Sequence, residues 1–400
     1  MSEAVEDPRA PAGSPRYRRA LIALFCAGLA TFAQVYSPQA VLPEIARDFG
    51  MNESSSSLAI GATTIGLAIG MLPWGRLSDR IGRVRAMRWA ILLAVSVGLI
   101  TPFMPTFESL VALRFVEGLF LAGLPAISVT ALAETVTPMA LGGAVGAFIA
   151  GNTIGGLAGR IIAAAAGEAF GWHWGLFAVG AVAAVAAVSF ALLMPPTAIA
   201  PAKGLPIWRA TIANLRNPGV MVMVLQAFLL MGGFVSAYNY LGFRLQEAPF
   251  GLSLTAVSWL FLAYLAGAFA SRRAWSLTAR VSPITVLLLS LGVMLLGILL
   301  TMLPWLIAII VGLVCFTVGF FGAHSIALTL VSQRAEPGAR TLAPSLYNLG
   351  YYAGSTLIGW TGGLAFAAAG WNGTVAMIVA VVLSAAAAAW LQSRSQKHGV

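Results

Sequence analysis

The sequence predicts an all-α integral membrane protein with twelve transmembrane helices in two pseudo-symmetric six-helix bundles. Three observations predict this fold class. Hydrophobic residues make up 59% of the 400-residue chain and charged residues only 9%, against roughly 45–50% and about 25% in soluble globular proteins. Apolar stretches of about 20 residues, the length that crosses the hydrocarbon core as a helix, recur along the chain. The second half also repeats features of the first half.

Twelve stretches are long and apolar enough to be membrane-spanning helices, and we number them as predicted spans 1 to 12. The first half contains 18–40, 55–74, 86–104, 108–132, 139–163 and 172–194. The second half contains 218–241, 253–272, 283–303, 305–330, 341–367 and 372–392. Their hydrophobic residues do not alternate with a period of two, which disfavours a membrane β-barrel.

Polar segments divide the chain. Residues 1–16 are polar and rich in proline, which predicts a disordered cytoplasmic tail. Residues 195–217 interrupt the hydrophobic pattern with four prolines and three basic residues, which predicts a cytoplasmic linker. The linker separates the N-terminal bundle, 17–194, from the C-terminal bundle, 218–392. Residues 393–400 form a second cytoplasmic tail.

The basic residues predict the orientation in the membrane. Nineteen of the 23 Lys and Arg residues lie on one side of the membrane, in the tails, the linker, the loops and the adjoining ends of the spans. Because basic loops favour the cytoplasmic side, we expect a multi-pass protein with both termini in the cytoplasm. Topology thereby explains the net charge of +10, and we expect no nucleic-acid partner.

The two halves share features at an offset of 199 residues. Pro138, Gly151, Gly155 and Gly171-Trp172 recur as Pro337, Gly350, Gly354 and Gly370-Trp371. Glycines alone would match easily in a chain with 43 of them, but a proline and a Gly-Trp pair at the same offset are harder to obtain by chance. Paired six-helix repeats are typical of secondary transporters whose substrate site lies between the repeats.

The loop after predicted span 2 is rich in glycine and charge. It reads Gly75-Arg76-Leu77-Ser78-Asp79-Arg80-Ile81-Gly82-Arg83-Val84-Arg85. This run resembles the signature loop between the second and third helices of the major facilitator superfamily, and the overall resemblance covers residues 17–392. The resemblance implies the major facilitator fold and transport by alternating access.

We assign residues of this loop to a cytoplasmic gate: Gly75, Asp79, Arg80, Gly82 and Arg83. Gly75 should permit close approach of another helix, and Gly82 should permit a tight turn. Asp79 is an anion that we expect to dock against the N-terminus of predicted span 11, near Thr341. The alternative is a positively charged loop and nothing more, which explains the arginines but not Asp79 between two glycines.

Predicted span 4 contains an acid and a base three residues apart. Arg114-Phe115-Val116-Glu117-Gly118 resembles the Arg-x-x-x-Gly motif of drug–proton antiporters within the superfamily. Glu117 falls about 13 Å along the helix, close to the membrane midplane. Ionisable residues at that depth are candidates for function, so we assign proton coupling to Glu117 and Arg114. The alternative is a buried pair that only fixes helix packing.

Glycines recur at four-residue spacing in span 5 and again in span 11. We assign Gly151, Gly155 and Gly159 to helix packing, together with Gly350 and Gly354, because such stripes allow close helix contact. The span 5 run resembles the antiporter motif of the superfamily. With the run Tyr347-Asn348-Leu349-Gly350-Tyr351-Tyr352 in span 11, it resembles the bacterial YnfM-type branch of inner-membrane carriers. The resemblance implies a location in the inner membrane.

Other polar residues within the spans are candidates to line a substrate cavity. They are Gln34, Asn152, Gln226, Asn239, Tyr264, His324, Asn348 and Tyr351. Each one has an alternative role, which is a hydrogen bond between neighbouring helices. His324 is also an alternative proton site.

These observations favour a secondary transporter that moves a small organic solute, with proton-coupled efflux as the leading hypothesis. An importer of a nutrient such as a sugar or organic anion is the alternative. A transporter-like membrane sensor or a membrane-embedded enzyme is the alternative from a different class. No span holds a nucleophile–base pair for an enzyme, and no polar segment longer than the 16-residue tail or the 23-residue linker offers a sensor domain. The expected partners are the solute, protons and the lipid bilayer. We expect a monomer with no cofactor and no metal, since no cluster of His, Cys or carboxylates has metal-ligand spacing.

Overall fold

The computed structural model describes residues 7–197, 207–336, 338–340 and 342–398. Parts of the predicted tails and linker lie outside the described residues, as do two residues used above. These are 1–6, 198–206, 399–400, Pro337 and Thr341.

Long helices account for most of the described chain. Helices α1 to α6 are Pro15–Tyr36, Leu58–Ile81, Arg83–Ile100, Phe107–Thr135, Pro138–Phe170 and Trp172–Leu193. Helices α7 to α10 are Pro218–Gln246, Leu254–Leu277, Pro283–Leu300 and Leu306–Arg334. The helix Ala343–His398 leaves helical geometry at Ala369 and Gly370, and we label its two parts α11 (343–368) and α12 (371–398).

The predicted fold class is confirmed. Eleven helices of the described chain are long and apolar enough to cross a membrane. The last of them, which contains α11 and α12, corresponds to predicted spans 11 and 12. The break between these two parts falls at Gly370, whose φ of +59° is readily adopted only by glycine. Every predicted span therefore corresponds to a helix.

The segment after predicted span 2 differs from the predicted loop. Helix α2 continues through Ile81, and α3 begins at Arg83. Only Gly82 between them leaves the helical conformation, with a φ of +93°. Charged side chains do not disfavour a helix as such, so the loss of hydrophobicity after residue 74 marks the end of the apolar segment and not the end of the helix.

Residues 7–14, for which composition predicts disorder, contact the turn between α4 and α5. The Ala10 N–H donates to the Thr135 carbonyl at 2.9 Å, and the Thr137 N–H donates to the Ala10 carbonyl at 3.0 Å. Ala10 is buried. Nearby, hydrogen bonds from Arg9 hold the pKa of the Asp7 carboxyl below its usual value. Backbone pairing of this kind depends on a tertiary partner, which composition does not reveal.

The described residues form two compact units. The first comprises the described residues of Met1–Pro38 and Gly66–Lys203. The second comprises Gln39–Ile65 and the described residues of Gly204–Val400. Helix α2 contributes residues to both units, because the boundary falls at Ile65.

In the first unit, glycines let α5 pack closely on α1. A Cβ atom on Gly155 would lie 2.6 Å from the Leu29 Cα, and a Cβ on Gly159 would lie 2.7 Å from the Ala33 Cα. Neither approach leaves room for a side chain, since carbon atoms in contact lie about 3.5–4.0 Å apart. Gly151 meets the backbone of α1 in the same way. The stripe therefore faces α1 along three successive turns.

In the second unit, α11 packs on α7 through a matching stripe. A Cβ on Gly354 would lie 2.7 Å from the Phe228 Cα, and one on Gly350 would lie 2.8 Å from a methyl carbon of Val224. The repeat found in the sequence thus corresponds to equivalent helix contacts, α5 on α1 and α11 on α7.

A ten-residue helix, Ile207–Arg216, occupies most of the described part of the predicted linker. Asn217 follows it and caps α7, because its side-chain oxygen accepts hydrogen bonds from the N–H groups of Gly219 and Val220 at 2.9 and 3.2 Å. The Asn217 amide also donates to the Arg334 carbonyl at 2.9 Å. The linker is thereby joined to the start of α7 and to the end of α10.

Candidate functional site

The charged pair of span 4 is buried within the first unit. A guanidinium nitrogen of Arg114 lies 2.7 Å from a carboxylate oxygen of Glu117. Glu117 is completely buried, and Arg114 is 4% exposed. The second guanidinium nitrogen donates to the carbonyls of Gln34 and Val35 at 3.0 and 2.9 Å. These carbonyls belong to the last turn of α1, where carbonyls lack partners within the helix. Arg114 therefore joins α4 to α1.

Gln34 lies beside this pair. Gln34 is a predicted cavity residue, but it lies with Glu117, Arg114 and Gly98 around a gap of only about 10 Å³. Its amide nitrogen donates to the Ala30 carbonyl at 3.0 Å. A gap of that size admits one water molecule and no organic solute.

A second arginine of the first unit is also buried. Arg160 on α5 is 2% exposed, and it donates to the Gly156 carbonyl at 2.6 Å. Its guanidinium carbon lies 4.9 Å from the centre of the Tyr36 ring. That geometry is a cation–π contact, which stabilises a buried guanidinium.

Arg83, one of the predicted gate residues, contacts an acidic residue of its own segment and another on helix α4. Its guanidinium lies 2.6 Å from the Asp79 carboxylate and 3.3 Å from the Glu134 carboxylate, and it donates to the Ser78 hydroxyl at 2.6 Å. Glu134 is buried near the end of α4. Glu134 was not among the predicted site residues, and its only signal in the sequence was an acidic residue two positions after the end of predicted span 4.

The other gate residues are placed differently. Gly82 makes the tight turn between α2 and α3. Arg80 is exposed. Nothing lies within 4 Å of the position of a Cβ on Gly75, so the close helix approach expected there is absent from the described residues of this structure. Asp79 pairs with Arg83, and its docking against span 11 stays a prediction.

Three of the predicted cavity residues belong to one aromatic cluster in the second unit. The ring of Tyr264 lies 5.8 Å from that of Phe321, which lies 5.4 Å from Phe320. Phe320 stacks on His324 at 5.6 Å, and His324 lies 5.2 Å from Tyr351. Tyr264, Phe321, His324 and Tyr351 are half-buried, so their rings contact each other and also present accessible surface.

His324 has a hydrogen-bond partner in this cluster. Its Nδ1 atom lies 2.8 Å from the hydroxyl of Tyr347, a buried residue of α11. The hydroxyl also donates to the His324 carbonyl at 3.3 Å. The contact joins α10 to α11, which is the packing alternative that the sequence left open for this histidine.

The remaining predicted cavity residues do not join this cluster. Gln226 donates to the Ala385 carbonyl of α12 at 2.7 Å, so it bridges two helices. Asn239 accepts a hydrogen bond from Gln39 at 2.6 Å. Asn152 and Asn348 are half-buried. The polar residues of the spans therefore divide between helix bridges and accessible surface, and sequence position alone did not separate the two groups.

The helical architecture, the charged turn after α2 and the buried pair in α4 define a membrane transporter of the major facilitator type. The family model of the Major Facilitator Superfamily matches residues 21–357, and the chain belongs to this family. It is 39% identical over 379 residues to the inner membrane transport protein YnfM of Escherichia coli (strain K12), covering 93% of this chain and 90% of that protein. It is 34% identical to the uncharacterized MFS-type transporter YybF of Bacillus subtilis (strain 168), covering 93% of both.

A solved structure supports the fold independently. A bacterial homolog of the human lysosomal transporter Spinster, in an inward-facing and unoccupied conformation, matches with a TM-score of 0.79 and 18% identity. The match covers 95% of this chain and 98% of that chain. The predicted family and the membrane-transport class are thus confirmed.

Proposed function

We propose that this protein is a proton-coupled exporter that moves a small organic solute across the inner membrane by alternating access. Its termini lie in the cytoplasm under this proposal, as the distribution of basic residues favours. The single observation that carries the proposal is the complete burial of the Glu117 side chain ten residues into a membrane-spanning helix.

Glu117 suits proton coupling because of its depth. It lies ten residues after the start of α4, Phe107–Thr135. The other acidic residues of the described long helices lie within two residues of a helix end: Asp79, Glu108, Glu134 and Glu168. A carboxylate that is shielded from water must be paired or neutralised. Glu117 can therefore alternate between an ionised state paired with Arg114 and a neutral, protonated state.

Charge in the first unit and aromatic surface in the second unit bear separately on the nature of the solute. The first unit buries two arginines, Arg114 and Arg160, and the carboxylate of Glu117, which leaves one positive charge in excess without placing these side chains in contact with the solute. The half-buried rings of Tyr264 and Tyr351 offer apolar surface with polar edges. These groups favour a neutral amphipathic solute or an organic anion over a small inorganic cation.

Everted inner-membrane vesicles with an imposed pH gradient test the proposal. Chloramphenicol serves as the neutral amphipathic probe, benzoate as the organic anion, and rubidium as the inorganic cation. We expect gradient-driven accumulation of an organic probe and none of rubidium. Right-side-out vesicles give the direction, since an importer accumulates the probe there instead. A flux that requires ATP and ignores the proton gradient would overturn the mechanism.

A further inference from the structure

Two oxygen atoms beside the charged pair are buried without a hydrogen-bond donor among the described residues. They are the second carboxylate oxygen of Glu117, Oε1, and the side-chain oxygen of Gln34, also Oε1. Glu117 is completely buried and Gln34 is 3% exposed. Buried polar atoms of this kind are rare in proteins, so each one requires a physical explanation.

Both oxygens face the same gap. Each lies closer than 3.0 Å to the position that a Cβ atom on Gly98 would take. The gap therefore exists because residue 98 has no side chain. Its volume is about 10 Å³, which matches the space that one buried water molecule needs.

The orientation of the Gln34 amide is set by a neighbouring carbonyl. Its nitrogen donates to the Ala30 carbonyl at 3.0 Å. Rotation of the amide by half a turn would place Oε1 against that carbonyl, and two acceptors would then face each other. The Gln34 oxygen consequently lies beside Gly98, as the Glu117 oxygen does, where a single donor group can reach both acceptors.

We propose that the gap binds one water molecule, which donates one hydrogen bond to Glu117 Oε1 and the other to Gln34 Oε1, and through which Glu117 exchanges its proton. A water molecule supplies two donors, the number that two acceptors require. The inference rests on the proposed function for its role in coupling. Gln34 is then a positioning residue of the proton site and not a residue of the substrate cavity.

The proton step balances without another reactant. When a hydronium ion outside the gap passes a proton to the bound water, that water becomes hydronium; one of its O–H bonds then breaks as an O–H bond forms on Glu117 Oε1. The products are a water molecule, held by Gln34, and a neutral carboxylic acid. Around the gap lie Gln34 of α1 and Ser37 just after it, Gly98 of α3 and Thr101 just after it, and Leu176 and Val179 of α6. None of these is charged, so Arg114 is the one charged neighbour that lines the gap with Glu117.

Infrared difference spectroscopy of the full chain in lipid nanodiscs tests the water site without any transported solute. The probe is water labelled with heavy oxygen, which shifts the O–H stretching band of a bound water. We expect a labelled-water band that changes on protonation of Glu117 and is absent from Glu117→Gln. Gly98→Ala should abolish the band, because the added methyl group fills the gap, and Gln34→Leu should shift it. Gly146→Ala is the matched control, since nothing lies within 4 Å of a Cβ there.

A pH jump gives the second readout. The carboxyl band of Glu117 should rise about tenfold more slowly in Gly98→Ala and Gln34→Leu than in the wild type and the Gly146→Ala control. A band that survives in Gly98→Ala, or equal protonation rates in all four proteins, would overturn the water site. Vesicle flux that ignores the proton gradient while the band persists would instead reject the proposed function and leave the water site standing.

Discussion

Arg114 and Glu117 form an ion pair of 2.7 Å across one turn of α4, with both side chains buried. Burial of two charges is expensive, and replacement of such pairs by apolar residues is often neutral for stability. The pair is therefore poorly explained as a device for packing alone. Arg114 also donates to the last turn of α1. A change of charge on Glu117 would thus act on the contact between α4 and α1.

The first prediction concerns proton coupling. Glu117→Gln keeps the shape of the side chain but cannot release a proton. We expect the accumulation ratio of the transported probe to fall to about one, because a carrier without coupling free energy only equilibrates its solute. Exchange of labelled for unlabelled probe should persist in part. Both quantities are measured in proteoliposomes with and without a pH gradient.

Glu108→Gln is the matched control for this prediction. Glu108 lies on the same helix but is exposed in its first turn, so its replacement should leave accumulation unchanged. Normal accumulation by Glu117→Gln would remove Glu117 from the mechanism. His324, which is hydrogen-bonded to Tyr347, would then be the next candidate.

The second prediction concerns the stability of the buried pair. Arg114→Met leaves the Glu117 carboxyl buried without its partner, and the loss of one partner of a buried pair typically costs about 3–5 kcal/mol. The double variant with Glu117→Met removes both charges, so we expect it to recover part of that loss. Thermal unfolding in detergent measures the difference. Equal destabilisation of the single and double variants would show that Arg114 acts mainly through the carbonyls of α1.

The third prediction concerns close packing in the first unit. Gly155→Leu places side-chain atoms where the Leu29 Cα stands only 2.6 Å from a Cβ, so α5 must move away from α1. Overpacking of this kind typically costs about 1–3 kcal/mol, and transport should fall with it. Gly146→Leu on the same helix meets open space and should leave both the thermal midpoint and transport unchanged. If the Gly155 variant matched that control, the stripe would not be required for packing.

Hydrophobicity was sufficient to predict the number of helices, and the resemblance of the segment after predicted span 2 to a family motif indicated the family. A membrane imposes the same length on every span, so the positions of the spans can be read without tertiary information. The ends of the helices were harder to predict from the sequence, because α2 continues through Ile81 after its apolar segment stops. Backbone contacts of the segment around Ala10 depend on the turn at Thr135, which no local pattern encodes.

The roles of polar residues within the spans were the least predictable part. Gln34 and Gln226 are both glutamines in apolar helices, yet one lies beside Glu117 and the other donates to the Ala385 carbonyl. Their difference arises from which helix lies opposite, and a single sequence does not contain that information. The same reason explains why Glu134 was not connected with Arg83.

The last prediction concerns the gate at the end of α2. Arg83 contacts Asp79 at 2.6 Å and Glu134 at 3.3 Å, and the Asp79 side chain is 50% exposed. An exposed pair contributes about 0–1 kcal/mol, so Asp79→Asn should fold and express normally. Alternating access, however, requires two states of similar free energy, and a population ratio changes tenfold per about 1.4 kcal/mol. A small loss of interaction free energy at Asp79 can therefore shift the populations of the two states without unfolding the protein.

We expect Asp79→Asn to populate the inward-open state and to lower turnover more than affinity for the probe. Glu134→Gln should act in the same direction and should also lower the thermal midpoint, because Glu134 is buried whereas Asp79 is not. Cysteine-accessibility labelling from each side of the membrane measures the shift. Arg85→Gln, which removes one exposed charge from the same segment, is the control. If labelling from the cytoplasmic side is no greater in Asp79→Asn than in the control, Asp79 only contributes to the orientation of the chain in the membrane, and the gate lies elsewhere.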